Sequence, residues 1–148
     1  MSAERVVASA LDEVPADASP WQHALRLQRC AAEVGFTWAD SGPVLDKLLE
    51  EIGELRVELQ PGGSPARVED ELGDVLFVLV NLARHAGVDA DAALRHANAK
   101  FERRFRAMET LAAADGVRLE DLSLDAQEDY WNRAKAQERS NGDVRQLP

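Results

Sequence analysis

The chain has 148 residues, the length of one ordinary domain, and its formal net charge of −10 excludes a general nucleic-acid binder, which needs a basic surface. Its longest apolar run, residues 75–80, is far shorter than the ~20 residues of a membrane helix, and the first residues lack the pattern of a secretion signal. The single cysteine, Cys30, cannot form an internal disulfide. We therefore expect one soluble, acidic, cytoplasmic domain without nucleic-acid or membrane partners.

Helix-capping residues divide the chain into segments. A residue that can cap a helix precedes a proline at Ser19-Pro20, Gly42-Pro43 and Ser64-Pro65, and this pair is a favoured beginning of a helix. Asp89 and Ser123 are capping residues for two more helices. The predicted helices cover residues 20–34, 43–59, 65–86, 89–114 and 123–139.

The segments between these helices contain no strand pattern, because no stretch alternates apolar and polar residues between hairpin turns. Short connections favour the packing of neighbouring helices into a bundle. We expect an all-α helical bundle of about five helices over residues 20–139. Residues 1–19 are predicted to form an N-terminal extension with a short helix near 3–14, and residues 140–148 a flexible tail.

The third predicted helix is apolar nearly all round over residues 75–83, where only Asn81 interrupts the apolar residues. A helix of this kind normally lies at the centre of a large core. In a chain of this size, a second subunit is needed to cover every face of such a helix. We therefore expect a homo-oligomer.

The first acidic segment, residues 49–54, places carboxylates on the apolar side of the second predicted helix. At about 100° per residue, Glu51 falls within the apolar stripe of this helix and Glu54 falls on its flank. We expect both side chains to point inward. The stripe consists of Val44, Leu48, Leu55 and Leu59.

The second acidic segment, residues 69–74, repeats this arrangement on the third predicted helix. Glu71 lies in line with an apolar stripe, and Asp74 lies one turn further along the same side. Each helix thus offers two inward acids three residues apart, which are neighbours on a helix surface. The second stripe consists of Val75, Val78 and Leu82.

Buried carboxylates are costly unless they are protonated, paired with bases or bound to cations. Oxygen ligands of this kind suit Mg²⁺ or Mn²⁺. A solvated acidic face is the usual reason for a single Glu-Glu-x-x-Glu, but here the acids fall on the apolar side and the pattern recurs. A di-iron centre does not fit, because no histidine follows a glutamate at the required spacing. Gly53 and Gly73, each directly before an acid, cost about 1 kcal/mol relative to alanine. A close approach of the two helices would justify that cost, and loose helix ends are the alternative explanation.

These acids resemble the pattern of the MazG family of all-α nucleoside triphosphate pyrophosphohydrolases. The pattern is Glu-Glu-x-x-Glu followed by Glu-x-x-Asp, here Glu50-Glu51-x-x-Glu54 and Glu71-x-x-Asp74. The resemblance covers residues 20–136 and is greatest to the C-terminal half of the two-domain bacterial forms. Further similar segments are RCAAEVGFTW (29–38), VNLARH (80–85), ANAKFERRF (97–105) and YWNRAK (130–135).

The resemblance implies Mg²⁺-dependent cleavage of a nucleoside triphosphate to a monophosphate and pyrophosphate, with Mn²⁺ as a substitute. It implies that Glu51, Glu54, Glu71 and Asp74 are the metal ligands. Glu50 would face the attacking water as a positioning group or general base. The expected assembly is a homodimer or a dimer of dimers.

A basic segment follows in the fourth predicted helix, where residues 95–106 carry five basic residues and one acid. Lys100 and Arg104 lie along one flank and match the family pattern, which implies contact with the triphosphate. Arg103 points away and is expected to be solvated or ion-paired. The predicted buried stripe of this helix consists of Leu94, Ala97, Phe101, Phe105 and Met108.

The last predicted helix carries Trp131 and Lys135 four residues apart, and the resemblance implies contact with the nucleotide. For Trp131, core packing is an equal alternative. Asn98 either orients the ligand or fills a packing gap. Phe36 and Trp38 are predicted core residues, with base stacking as the alternative.

The sequence therefore predicts a nucleoside triphosphate pyrophosphohydrolase that controls or sanitises the nucleotide pool. One alternative is a related all-α enzyme acting on dUTP or phosphoribosyl-ATP. The alternative from another class is a non-catalytic acidic helical scaffold or interaction protein. The pattern does not determine the base or the sugar of the substrate.

Overall fold

The structure, a computed structural model, describes residues 8–15 and 19–144. These residues form five α-helices and one short 3₁₀ helix, with no strand, so the all-α prediction is confirmed. None of the described helices is long and apolar enough to cross a membrane. The α-helices are α1 (Pro20–Glu33), α2 (Ser41–Glu58), α3 (Pro65–His85), α4 (Ala90–Ala114) and α5 (Leu124–Val144), and the 3₁₀ helix covers Leu119–Asp121.

Most helix beginnings agree with the predicted caps. The serine side chain accepts a hydrogen bond at 3.3 Å from the amide three residues later at Ser19, Ser64 and Ser123. The predicted beginning of α2 at Gly42-Pro43 is wrong. Asp40 Oδ1 accepts a 2.8 Å hydrogen bond from the Gly42 amide, so α2 begins at Ser41.

The chain turns directly after α1 and α3 at two glycines with positive φ, 88° at Gly35 and 68° at Gly87. At the C-terminus, α5 continues to Val144, beyond the predicted end at 139. The predicted tail at 140–148 therefore begins inside a helix, and its residues 145–148 lie outside the described part. Of the helix predicted near 3–14, residues 3–7 lie outside the described part, and residues 8–14 contain turns rather than a helix.

The expectation that Phe36 and Trp38 are core residues is wrong. Phe36 is 82% exposed and Trp38 is 39% exposed, because α1 ends at Glu33 and the segment after it lies at the surface.

The chain divides into two compact units, residues 1–90 and 91–148, which are described separately. In the first unit, α3 packs against both α1 and α2. The predicted stripes of α2 and α3 form its core, except that Leu59 is 63% exposed because it lies beyond the last turn of α2. The core consists of Val44, Leu48, Val75 and Val78, with Leu55 and Leu82 partly buried against it.

The second unit contains α4, the 3₁₀ helix and α5. Met108 is the one residue of the stripe predicted on α4 that is buried. Ala112 of the same helix is also buried, although it was not part of the predicted stripe. Phe101 and Phe105 are 58% and 41% exposed, so the prediction is wrong for them. The reason is that α5 is mostly polar and meets this aromatic face through Trp131.

Candidate metal centre

Three of the predicted ligands converge where α2 packs against α3. Carboxylate oxygens of Glu51, Glu71 and Asp74 lie within 4.8 Å of one another. Glu51 lies one turn from the buried Leu48, and Glu71 lies one turn before the buried Val75. The helical period that buries these apolar side chains therefore brings the three carboxylates together.

Two oxygens of this cluster have no hydrogen-bond partner in the part of the chain that the structure describes. They are Glu51 Oε2 and Glu71 Oε2, and both are shielded from solvent. Glu51 as a whole is only 5% exposed. A buried carboxylate oxygen without a partner is strongly unfavourable, and a divalent cation is a partner that removes this cost. The residues present therefore fit Mg²⁺ or Mn²⁺.

Lys47 forms ion pairs with Glu50 and Glu51, and sequence reasoning did not assign it to the site. Its Nζ lies 2.7 Å from Glu51 Oε1 and 3.0 Å from Glu50 Oε1. The hydrogen bond to Glu51, followed by that to Glu50, raises the pKa of Lys47. The signal was present in the spacing, since Lys47 precedes these acids by three and four residues on one helix.

Glu54 lies at the margin of the cluster. Its side chain is exposed, and it is not among the three residues whose oxygens converge. The negative charge of Glu51, then the partial loss of water, then the charge of Glu71 raise the pKa of Glu54. The position of Glu54 on the flank of the apolar stripe leaves it more exposed than Glu51, but it stays close enough to Glu51 and Glu71 for their charges to act on it.

Glu50 is exposed next to Glu51, and its Oε1 accepts a hydrogen bond from Lys47. Asp74 is also exposed, although one of its oxygens belongs to the cluster, so it opens the cluster to solvent.

A Cβ added at Gly53 or Gly73 would meet nothing in the described residues within 4 Å beyond the backbone of its own helix. The expected close approach of the helices at these glycines is therefore wrong.

The basic residues of α4 form a separate group in the second unit. Arg104 Nε donates a 2.7 Å hydrogen bond to Glu138 Oε2 of α5, and the neighbouring Arg103 pairs with the same carboxylate. The Arg104 bond, then the Arg103 bond, lower the pKa of Glu138. Sequence reasoning missed Glu138, because 34 residues separate it from Arg104 and no helical spacing connects them.

Trp131 lies beside this group. Its ring centroid is 5.6 Å from that of Phe101, and the Arg104 guanidinium carbon lies 5.7 Å from the Trp131 ring. Of the other predicted nucleotide contacts, Lys100 and Asn98 are exposed and Lys135 is half-buried. Trp131 therefore packs with a phenylalanine and borders an arginine at the same time.

The structure therefore defines an all-α protein in which three carboxylates of α2 and α3 lie close enough together to share a metal ion. Residues 42–108 match the MazG nucleotide pyrophosphohydrolase domain. The chain therefore carries a MazG domain, and the family resemblance inferred from its motifs is confirmed. The matched region includes the acids of α2 and α3, together with Lys100 and Arg104.

Two curated relatives are similar over most of the chain. The nucleoside triphosphate pyrophosphohydrolase of Escherichia coli (strain K12) is 44% identical over 137 residues, which are 92% of this chain and 52% of that protein. The nucleoside triphosphate pyrophosphohydrolase/pyrophosphatase MazG of Thermotoga maritima is 43% identical over 112 residues, 76% of this chain and 42% of that protein. The chain thus spans about half the length, or less, of these relatives.

Proposed function

We propose that this protein hydrolyses nucleoside triphosphates to a nucleoside monophosphate and pyrophosphate with the help of Mg²⁺. The observation that carries the proposal is the convergence of Glu51, Glu71 and Asp74, with two buried oxygens that have no partner among the described residues. The MazG domain and the names of both relatives support it. The physiological role would be control or sanitation of the cytoplasmic nucleotide pool.

In this proposal Glu51, Glu71 and Asp74 hold the metal, and Glu54 completes the set from the margin of the cluster. Bound Mg²⁺ would polarise a phosphoryl oxygen and lower the pKa of water. Glu50 receives the proton of the attacking water or orients that water, since its carboxylate is exposed beside the cluster.

The triphosphate also requires cationic side chains, because it is negatively charged and the carboxylates of the cluster repel it. We assign Lys100 and Arg104 to the phosphate oxygens, where the planar guanidinium can bind two oxygens at once. Arg104 must first exchange its bond to Glu138 for one to phosphate. Trp131, Lys135 and Asn98 are assigned to the remainder of the nucleotide.

The test is release of pyrophosphate from the four ribonucleoside and four deoxyribonucleoside triphosphates. We expect turnover with Mg²⁺ or Mn²⁺, none in excess EDTA, and little with Ca²⁺, which prefers longer and looser coordination. Activity should return when Mg²⁺ is added back after dialysis. Full activity in EDTA would contradict the metal site, and no pyrophosphate under any condition would favour a helical scaffold.

We also propose that the chain forms a homodimer or a dimer of dimers. In α3 the side chains of Leu72, Leu76 and Leu79 remain exposed, as do Leu49 and Ile52 of α2. Water contact with apolar surface of this extent is unfavourable, so a second subunit would stabilise it. Light scattering at micromolar concentration should give at least twice the chain mass of 16.3 kDa. A single-chain mass that persists with Mg²⁺ and nucleotide would contradict the assembly.

A further inference from the structure

One basic side chain, which the proposed reaction does not use, lies against the carboxylate cluster. Lys47 Nζ is 2.7 Å from Glu51 Oε1 and 3.0 Å from Glu50 Oε1. Among the residues that the structure describes, no other lysine, arginine or histidine forms an ion pair with Glu51, Glu71 or Asp74. Lys47 is therefore the cation that the described part of the chain itself supplies to these carboxylates.

The ammonium group of Lys47 divides the two oxygens of Glu51 between different partners. Oε1 lies against Lys47, whereas Oε2 is shielded from solvent and has no hydrogen-bond partner among the described residues. Binding of a metal by both oxygens would require Oε1 to leave Lys47. Glu51 is thus arranged to offer one oxygen to a cation. This arrangement suits Mg²⁺, whose octahedral shell must also hold water and phosphate oxygens.

The same ammonium group anchors Glu50. The side chain of Glu50 is 58% exposed, and an exposed glutamate without a partner samples several rotamers. The bond from Lys47 uses Oε1 of Glu50 and leaves the other oxygen to water. Because a group that accepts a proton must lie within hydrogen-bond reach of the reacting water, an anchored Glu50 favours the geometry that catalysis needs.

The cluster also needs positive charge before a metal binds. Its three carboxylates lie close together and Glu51 is buried, so the repulsion between them is weakly screened. Lys47 is half-buried and pairs with the buried Glu51. This pair should therefore matter more than an exposed one such as that of Arg106 and Glu102, whose side chains are both more than half exposed.

We propose that Lys47 is a positioning residue of the metal centre. It directs Glu51 Oε2 towards the metal, holds Glu50 beside the site of attack, and offsets part of the negative charge while no metal is bound. Its position three and four residues before the two acids places all three side chains on one face of α2. The role towards Glu50 rests on the proposed function, whereas the other two roles concern metal binding alone.

The first measurement is the melting midpoint of the full chain in excess EDTA and in excess Mg²⁺. Lys47→Met keeps the side-chain length but removes the charge, so this variant should melt below the wild type in EDTA. Bound Mg²⁺ supplies the missing charge, and its addition should raise the midpoint of Lys47→Met by about 3 °C more than that of the wild type. Lys47→Arg keeps the charge and should show the wild-type increase.

The matched control is Arg106→Met, which removes an ion pair of the same four-residue spacing on α4. Mg²⁺ should raise its midpoint by as much as that of the wild type. An equal effect of Mg²⁺ on Lys47→Met and the wild type would mean that the lysine stabilises the fold independently of the metal, and this result would overturn the proposal.

Steady-state kinetics provides the second measurement. Lys47→Met should lower kcat by about tenfold or more, as does the loss of other residues that orient metal ligands. KM should change by less than about threefold, because Nζ is already bound to two carboxylates. Lys47→Arg should recover part of kcat. A raised KM with unchanged kcat would place Lys47 on the triphosphate instead and contradict a positioning role.

The two measurements distinguish this inference from the proposed function. If the wild type hydrolyses triphosphates, the proposal requires both the larger Mg²⁺ effect and the lower kcat of Lys47→Met. The absence of either overturns it and leaves the proposed function intact. If the wild type hydrolyses no triphosphate, the proposed function fails, and the melting curves decide on Lys47. A larger Mg²⁺ effect in Lys47→Met then supports its role at the cluster, and an equal effect overturns it.

Discussion

Replacement of Glu71 by glutamine should reduce the rate of pyrophosphate release by roughly 100-fold or more. Mutation of a residue that only hydrogen-bonds to a metal ligand already lowers metal affinity or activity by about 10–100-fold, and the loss of a ligand should cost at least as much. Glutamine keeps the volume of the side chain but removes one negative charge from a cluster whose oxygens lie within 4.8 Å of one another. The affinity for Mg²⁺ should fall as well. Steady-state kinetics and calorimetric titration with Mg²⁺ measure the two effects.

The same variant should not be destabilised in the absence of metal. Glu71 Oε2 is buried without a partner among the described residues, so removing its charge relieves repulsion from Glu51 and Asp74. A melting curve in EDTA should therefore give a midpoint equal to or above that of the wild type. Loss of activity together with a lower midpoint would indicate a structural role for Glu71.

The matched control is Glu69→Gln, an exposed position two residues away on the same helix. Exposed substitutions normally change stability by less than ~0.5 kcal/mol, and this one should alter neither the rate nor the midpoint. A comparable loss of activity in both variants would contradict the assignment of the inward face of α3.

Replacement of Arg104 by methionine should raise KM for the triphosphate by about 10- to 100-fold, the range expected for a lost charge-assisted hydrogen bond. Methionine keeps an apolar contact beside Trp131 but cannot bind phosphate. The control is Arg103→Met, since Arg103 pairs with the same Glu138 but is more exposed than Arg104.

Arg103→Met should change KM by less than about twofold, because exposed ion pairs contribute little. Glu138→Gln tests the competition directly, since it weakens the bond that Arg104 must give up and should lower KM. Equal effects of Arg103→Met and Arg104→Met would mean that general charge, rather than a specific contact of Arg104, attracts the substrate.

Much of the fold could be predicted because helix formation depends on neighbours in the sequence. The caps at Ser19, Ser64 and Ser123 act on amides three residues away, so their positions are visible in the chain. The beginning of α2 was predicted incorrectly because Asp40, two residues before Gly42, accepts from the Gly42 amide instead. The exposed aromatic face of α4 was missed because helical periodicity says which residues share a face, not whether another element covers it.

The sequence by itself determined most of the helices and the two acidic faces, since both follow from local spacing along one helix at a time. Its motifs also carried the family resemblance. Only the tertiary structure decided that Glu51 meets Glu71 and Asp74 while Glu54 stays at the margin. Packing also decided two hydrogen bonds between distant parts of the chain. Gln28 bonds to Phe77, 49 residues away, and Arg104 bonds to Glu138, 34 residues away. Contacts of such separation depend on how one helix is rotated against another, and no periodicity in the chain records that rotation.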